Sequence, residues 1–168
     1  FVQMIAVMGS VGTIAYNKKS DFDYWVCIDK NSVSEEEYLA FRKKVDLIQK
    51  WAESEINLPV HLFVNDIEAV KRNIYDEDED EAFGSAIGAL LKDEFFRSSI
   101  IVAGKIPFWW VIPQFTKDDE YETLYNKLSA EEKEPFVDLG NLYRISKEDF
   151  MGAALFQTIE YSQVGSCG

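Results

Sequence analysis

Two short segments near the start of the chain carry residue types that hold metal ions and phosphates. Gly9-Ser10 is followed, after ten residues, by Asp21-Phe22-Asp23. Side chains alternate along a strand, so both Asp side chains are expected on one face, roughly 6–7 Å apart. Such carboxylates repel each other unless a cation lies between them, and Mg²⁺ accepts carboxylate and phosphate oxygens together. Glycine lets a turn approach a ligand closely, and serine offers a hydroxyl and an N–H to a phosphate.

Apolar runs and capping residues predict the elements that position these segments. Met4–Met8 and Phe22–Ile28 are typical of buried strands. Ser34 and Glu37 form a capping-box pattern for a helix that ends near Asn57, and a third strand is expected over 60–64. Further helices are predicted over 67–75, from Gly84-Ser85 to about 103, over 118–127 and over 146–161, with an extended segment over 105–113.

The composition favours a folded domain over a disordered segment. The 168 residues are 47% hydrophobic and include 12 Phe, 8 Tyr and 4 Trp, which is enough for a sizeable core. The net charge of −13 argues against nonspecific nucleic-acid binding, which requires basic surfaces. No apolar run has the length of a membrane span.

The remaining sequence features bear on the setting of the chain. Cys27 and Cys167 are too few for a disulfide framework, so we expect a reduced, cytoplasmic environment. The missing initiator Met and the start within an apparent strand predict a piece of a longer protein. The acidic run Asp76–Glu81 is expected to be a solvated loop, with regulation or metal capture as the alternative.

Six segments carry a family resemblance because they occur together and in order. They are Met8-Gly9-Ser10, Ser20–Cys27, Leu90–Arg97, Ala103-Gly104-Lys105, Asp138-Leu139-Gly140 and Phe150–Leu155. Together they resemble the class I adenylate cyclases, whose catalytic core is similar to that of polymerase-β-like nucleotidyltransferases. The resemblance implies an α+β fold with a small mixed sheet flanked by helices. The nucleotidyltransferase core would span 1–82, and a helical C-terminal extension over 83–168 would complete the nucleotide site within one compact unit.

The resemblance also implies a reaction, in which ATP is converted to 3′,5′-cyclic AMP and pyrophosphate. The ribose 3′-oxygen would attack the α-phosphorus with two Mg²⁺ or Mn²⁺ ions present, and a regulatory region or protein regulator would lie outside this chain. Asp21 and Asp23 are the expected catalytic residues and metal ligands. Asp66, at the end of the third strand, is expected either to be the third metal ligand or to cap the helix that follows it.

Five residues are expected to contact the triphosphate. Gly9 and Ser10 would do so from the first turn, and Ser20 would either assist them or cap a turn. Lys105, which follows Gly104, would supply a point charge to the phosphates. Arg97 would contact phosphate or form an i,i+4 ion pair with Asp93.

Two further features could suggest a catalytic or binding role, but they are expected to be structural. His61 is the one histidine of the chain, and its apolar strand neighbours favour a packed, hydrogen-bonded side chain over a general base. Phe108, Trp109 and Trp110 are expected in the core, with adenine stacking as the alternative.

Two other functions fit the same residues. A nucleotidyltransferase would use the same metal site to move a nucleoside monophosphate to another acceptor. A catalytically silent nucleotide-binding module would retain the site without turnover.

Overall fold

Two antiparallel strands bring the first turn against the acidic segment. In the computed structural model, which describes residues 1–11, 14, 16–17, 20–75 and 85–142, strand β1 covers Val2–Met8 and strand β2 covers Phe22–Ile28. Their register places Met8 opposite Asp23. The connection between them therefore returns directly to the acidic end of β2, and both predicted strands are confirmed.

A helix connects β2 to a parallel third strand. Helix α1 covers Glu35–Ile56, and strand β3 covers Val60–Asp66. The predicted capping box is present, because the Ser34 side chain accepts a hydrogen bond from the Glu37 N–H while the Glu37 carboxylate accepts one from the Ser34 N–H. Parallel strands need such a crossover connection, and β3 pairs alongside β2 from Phe22 onward.

The long predicted apolar helix is instead a helix followed by a strand. After the short helix α2, Ile67–Lys71, helix α3 covers Ser85–Ser98 and strand β4 covers Ile100–Gly104. The prediction of helix to about residue 103 is wrong, because the β-branched run at 100–102 pairs antiparallel with β1. The sheet order is β3-β2-β1-β4, with one parallel and two antiparallel pairings.

Both faces of this sheet are covered, and each has its own core. On one face, α3 packs against β1 and β2, and the Phe95 ring stacks on Trp25 with centroids 4.3 Å apart. On the other face, α1 contributes Tyr38 and Val45 to a cluster with Val26. The fold is therefore α+β with a mixed sheet flanked by helices, as expected.

The last described segment adds a small second sheet and two helices. Its elements are strand β5, Ile106–Pro107; a 3₁₀ turn, Phe108–Val111; helix α4, Asp118–Lys127; helix α5, Ala130–Lys133; and strand β6, Phe136–Val137, which pairs parallel with β5. The α4 prediction is confirmed, whereas the segment over 105–113 is extended only at Ile106–Pro107 and turns into the 3₁₀ helix at Phe108–Val111. Phe108 is buried and Trp109 stacks on Phe96 at 4.7 Å, so these two rings are core residues.

Several predictions concern residues outside the described ranges. They are the acidic run at 76–81, Gly84, the last helix over 146–161 and Cys167. The boundary predicted between 82 and 83 also lies there. Strand β4 lies beyond that boundary and pairs with β1, so the four-stranded sheet uses both segments of the chain. Within the described ranges, no helix combines the length and apolarity needed to cross a membrane.

Gly104 is predicted to be essential for the edge pairing of β4. Its φ is +88°, and a Cβ at this position would collide with the carbonyl oxygen of Gln3. Gly9 is the matched control, since it has φ +82° but its added Cβ would meet only ordinary contact. Gly9→Ala should cost about 1 kcal/mol from backbone strain alone. Gly104→Ala should cost about 3 kcal/mol, because the collision adds to the strain. Urea unfolding measures both, and equal losses would contradict the collision.

Candidate metal and phosphate site

The acidic pair lies where β2 begins. Asp21 directly precedes the strand and Asp23 is its second residue, so strand alternation directs both toward one face. The Asp21 side chain is half exposed, and Asp23 is partly buried. These carboxylates are therefore accessible at the edge of the core.

The first turn approaches the second of these carboxylates. A Cβ built on Gly9 would lie 3.7 Å from Oδ2 of Asp23. There is room for a side chain at Gly9, so glycine is favoured here by the positive φ of its backbone and not by a lack of space. Ser10 follows in the same turn and is partly buried. The predicted phosphate turn and metal carboxylate are thus neighbours.

His61 also lies at this end of the sheet, and its predicted packing is wrong. It is the register partner of Asp23 on the parallel strand β3. Its Nε2 lies 3.8 Å from Oδ2 of Asp21, and its side chain is 53% exposed. Among the strands that the structure describes, β3 is at the edge of the sheet, so no other described strand lies beside this position. Pairing β3 in parallel with β2 would have placed His61 beside Asp23. The sequence analysis considered His61 only by its neighbours on its own strand.

Asp66 lies at the opposite end of the same strands. Its register partner is Ile28, five residues beyond the pairing of Asp23 with His61, a distance of roughly 16 Å along a strand. Its carboxylate accepts hydrogen bonds from the N–H groups of Lys30 and Ala69 and caps α2. Of the two roles predicted for Asp66, the structure shows the helix cap, and it places this carboxylate far from the acidic pair.

Lys105 is likewise at the far end. Its N–H donates to the carbonyl of Gln3, and Gly104 pairs with Met4. Gln3 and Gly9 are separated by six residues of extended chain, roughly 20 Å, which exceeds the reach of a lysine side chain. The phosphate role expected for Lys105 is corrected on this ground. The cause is strand β4, which the sequence did not predict. It runs antiparallel to β1, from Val7 to Met4, and so carries Lys105 away from Gly9.

Arg97 and Ser20 are placed closer to the acidic pair. Arg97 is in the last turn of α3, and Ile100 just beyond it pairs with Val7 near the end of β1. Its Nε lies 2.6 Å from Oδ1 of Asp93, so the i,i+4 ion pair is present. The Ser20 hydroxyl accepts a hydrogen bond from the N–H of Asn17, which closes a turn before β2.

A separate polar cluster joins α2, α3 and α4, and sequence reasoning missed it. The Asp138 carboxylate lies 3.0 Å from Nζ of Lys71 and accepts a hydrogen bond from the Tyr121 hydroxyl. Lys92 is 1% exposed, and its Nζ donates to the carbonyl of Lys71. Burial lowers the Lys92 pKa to about 8, with Asp138 and Asp118 opposing the shift. These contacts hold helices together and include none of the acidic pair.

The donor chemistry of the acidic pair fits a divalent cation. Mg²⁺ is commonly held by one or two carboxylates and completes its shell with substrate phosphates and water. Asp21 and Asp23 supply such carboxylates beside a turn suited to phosphate. No group of three or more His, Cys, Asp or Glu side chains among the described residues is arranged to hold a metal ion. Substrate oxygens would therefore have to complete the coordination.

The sequence comparisons identify the family to which this chain belongs. Residues 2–110 match the family model described as "Adenylate cyclase NT domain". This match covers more than half of the 168 residues, so the chain belongs to the adenylate cyclase N-terminal domain family.

Curated relatives named adenylate cyclase match most of this chain. The protein of Pasteurella multocida is 33% identical over 157 residues, which is 91% of this chain. Those of Haemophilus influenzae and Escherichia coli K12 are each 33% identical over 156 residues, covering 90% and 91% of this chain. The matched region is 18% of the length of each relative.

The helix-cap role of Asp66 is testable by substitution. Asp66→Ala should lower the free energy of unfolding by about 1 kcal/mol because the cap of α2 is lost. Asp66→Asn should cost less, because the single amide oxygen of asparagine can still accept the capping hydrogen bond from Ala69 while the bond from Lys30 is lost. Mn²⁺ affinity, measured by titration calorimetry, should be unchanged in both variants. A large loss of Mn²⁺ affinity in Asp66→Asn would restore the metal-ligand assignment.

Proposed function

We propose that this chain carries the ATP and metal site of a cyclase that forms 3′,5′-cyclic AMP and pyrophosphate. The observation that carries this is the proximity of the Gly9 turn to the Asp23 carboxylate. It occurs in a chain whose relatives are named adenylate cyclase. We further propose that the mixed sheet is a polymerase-β-like nucleotidyltransferase core, because a Gly-Ser turn and an Asp-x-Asp strand meet on it.

The proposed reaction is an in-line displacement within one nucleotide. The ribose 3′-hydroxyl loses its proton to solvent as its oxygen forms a bond to the α-phosphorus, the bond from that phosphorus to the bridging oxygen breaks, and pyrophosphate leaves with the electron pair. The protein has little covalent work here, so positioning and charge neutralisation supply the catalysis. Bound Mg²⁺ or Mn²⁺, as one or two ions, would acidify the 3′-hydroxyl and neutralise charge on the leaving pyrophosphate.

The side chains at this end of the sheet have distinct proposed roles. Asp21 and Asp23 hold the cation from one face of β2. The backbone at Gly9 and the hydroxyl of Ser10 approach the β- and γ-phosphates, because their turn lies against Asp23. Ser20 supports this arrangement by closing the turn that leads into β2.

Arg97 is the proposed cationic contact to the phosphates. It ends α3 at the same end of the sheet as the acidic pair, and its side chain is 68% exposed. An exposed ion pair with Asp93 contributes little stability, so exchange of that partner for a phosphate costs little. A guanidinium also matches phosphate oxygens in a bidentate geometry.

The acidic pair gives the sharpest test of the reaction. Asp21→Asn and Asp23→Asn keep the side-chain shape but weaken cation binding, so each should lower cyclic AMP formation at least about a hundredfold. Asp46→Asn, an exposed carboxylate on α1, is the matched control and should retain full activity. Products of ATP with Mg²⁺ or Mn²⁺ are resolved by chromatography, and circular dichroism verifies the fold.

The products also separate the alternative functions. AMP linked to an acceptor would indicate a nucleotidyltransferase, and tight ATP binding without conversion would indicate a silent module. Cyclic AMP formation that survives both Asn substitutions would contradict the proposed site.

Arg97 and Lys105 form a second matched pair of variants. Arg97→Ala should raise the KM for ATP about tenfold, because a charge-assisted contact to phosphate is lost. Lys105→Ala removes the same charge at the far end of the sheet and should leave KM within about twofold. Steady-state kinetics of cyclic AMP formation measure both. Equal effects of the two substitutions would contradict the placement of the phosphates beside Arg97.

A further inference from the structure

We propose that the hydroxyl of Ser99 binds a phosphate of the nucleotide, beside Arg97 and the Gly9-Ser10 turn. This inference rests on the phosphate placement proposed above and adds a residue to it. Two independent observations point to Ser99. The sheet register places it next to the first turn, and its hydroxyl oxygen is buried without a hydrogen-bond partner among the described residues.

The register of β1 and β4 places Ser99 beside the residue that precedes Gly9. Ile100 is the first residue of β4, and it pairs with Val7. The two strands are antiparallel, so one step back along β4 corresponds to one step forward along β1. Ser99 therefore lies next to Met8, about one strand spacing away, roughly 5 Å.

Ser99 also lies on the face of the sheet that carries the acidic pair. Ile101 packs against the core that contains Met8 and Trp25. Side chains alternate along a strand, so Ser99 shares the face of Ile101. For the same reason Asp23 shares the face of Trp25. A phosphate bound over the first turn, close to Asp23, therefore lies on the side of the sheet to which Ser99 belongs.

The hydroxyl of Ser99 has a hydrogen-bonding capacity that a phosphate oxygen would satisfy. Its Oγ is buried and has no partner within the part of the chain that the structure describes. The neighbouring Ser98 hydroxyl, by contrast, donates to the carbonyl of Glu94. A buried polar group without a partner costs free energy, and its retention calls for an explanation. Ser99 as a residue is partly exposed, so rotation about its Cα–Cβ bond can turn the hydroxyl outward.

The backbone that carries this hydroxyl is held in place. The Ser99 N–H donates to the carbonyl of Phe95 and so continues the hydrogen bonding of α3 by one residue. The Phe95 ring is buried and stacks on Trp25. Ser99 follows Arg97 by two residues, so a charged and a neutral donor approach the phosphates from one anchored segment.

The experiment uses the expectation that Ser99→Ala changes stability and binding in opposite directions. Removal of an unpaired buried hydroxyl relieves its desolvation cost, so the thermal midpoint of the free chain should rise by about 2–4 °C. The same substitution removes a donor to a charged acceptor, so inorganic tripolyphosphate should bind about tenfold more weakly. Tripolyphosphate has neither base nor ribose, so calorimetry at a fixed Mg²⁺ concentration measures phosphate contacts alone.

Ser98→Ala is the matched control. It removes a hydroxyl one residue away that already donates within α3, so tripolyphosphate affinity should stay within about twofold of the parent. Its thermal midpoint should not rise, because a satisfied hydrogen bond is lost. Arg97→Ala is the positive control and should weaken tripolyphosphate binding about tenfold. Circular dichroism verifies that every variant is folded at the temperature of the titration.

The outcomes separate this inference from the proposed function. Weaker tripolyphosphate binding by Ser99→Ala, without a lower thermal midpoint, establishes the contact. A lower midpoint overturns it, because the hydroxyl is then already satisfied in the free chain. Parent-like binding by Ser99→Ala, with weaker binding by Arg97→Ala, overturns the role of Ser99 alone. Parent-like binding by both variants, or no binding by the parent chain, overturns the phosphate placement and this inference together.

Discussion

The antiparallel register of β1 and β2 is the constraint on which the candidate site depends. Met8 opposite Asp23 makes the next residue, Gly9, turn beside the carboxylate. A slip of one residue would send the acidic side chains to the other face of the sheet. The buried residues of β1 and β2 on both faces resist such a slip, because it would exchange the two cores. Burial of apolar side chains thus fixes the position of polar ones.

The parallel pairing of β2 with β3 decides which residues of the third strand can join them. In a parallel pair, the beginnings of the strands lie together and their ends lie together. His61 is near the beginning of β3, whereas Asp66 is its last residue. A residue at the end of β3 therefore cannot reach the beginning of β2, whatever its side chain. Its carboxylate instead starts the short helix that follows.

The sequence was sufficient to predict the first three strands and helices α1 and α4, because alternation, capping residues and helical periodicity are local signals. It was insufficient at residues 99–104, since a continuous apolar run looks alike in a buried helix and in a strand. That ambiguity misplaced Lys105. His61 was misjudged, and the choice between the two roles of Asp66 stayed open, for a different reason. Side-chain parity is readable from one strand, but position along the sheet depends on pairing with another.

The charges at this end of the sheet are negative, so they attract a cation and repel a free phosphate group. Both α1 and α3 end here, since Ile56 is followed closely by the start of β3 and Ser98 by the start of β4. Helix C-termini carry partial negative charge, which adds to that of Asp21 and Asp23. In a chain of net charge −13, a bare triphosphate would be repelled from this region. At the proposed site, nucleotide binding would therefore depend on the divalent ion, because the ion offsets the repulsion that the triphosphate would meet alone.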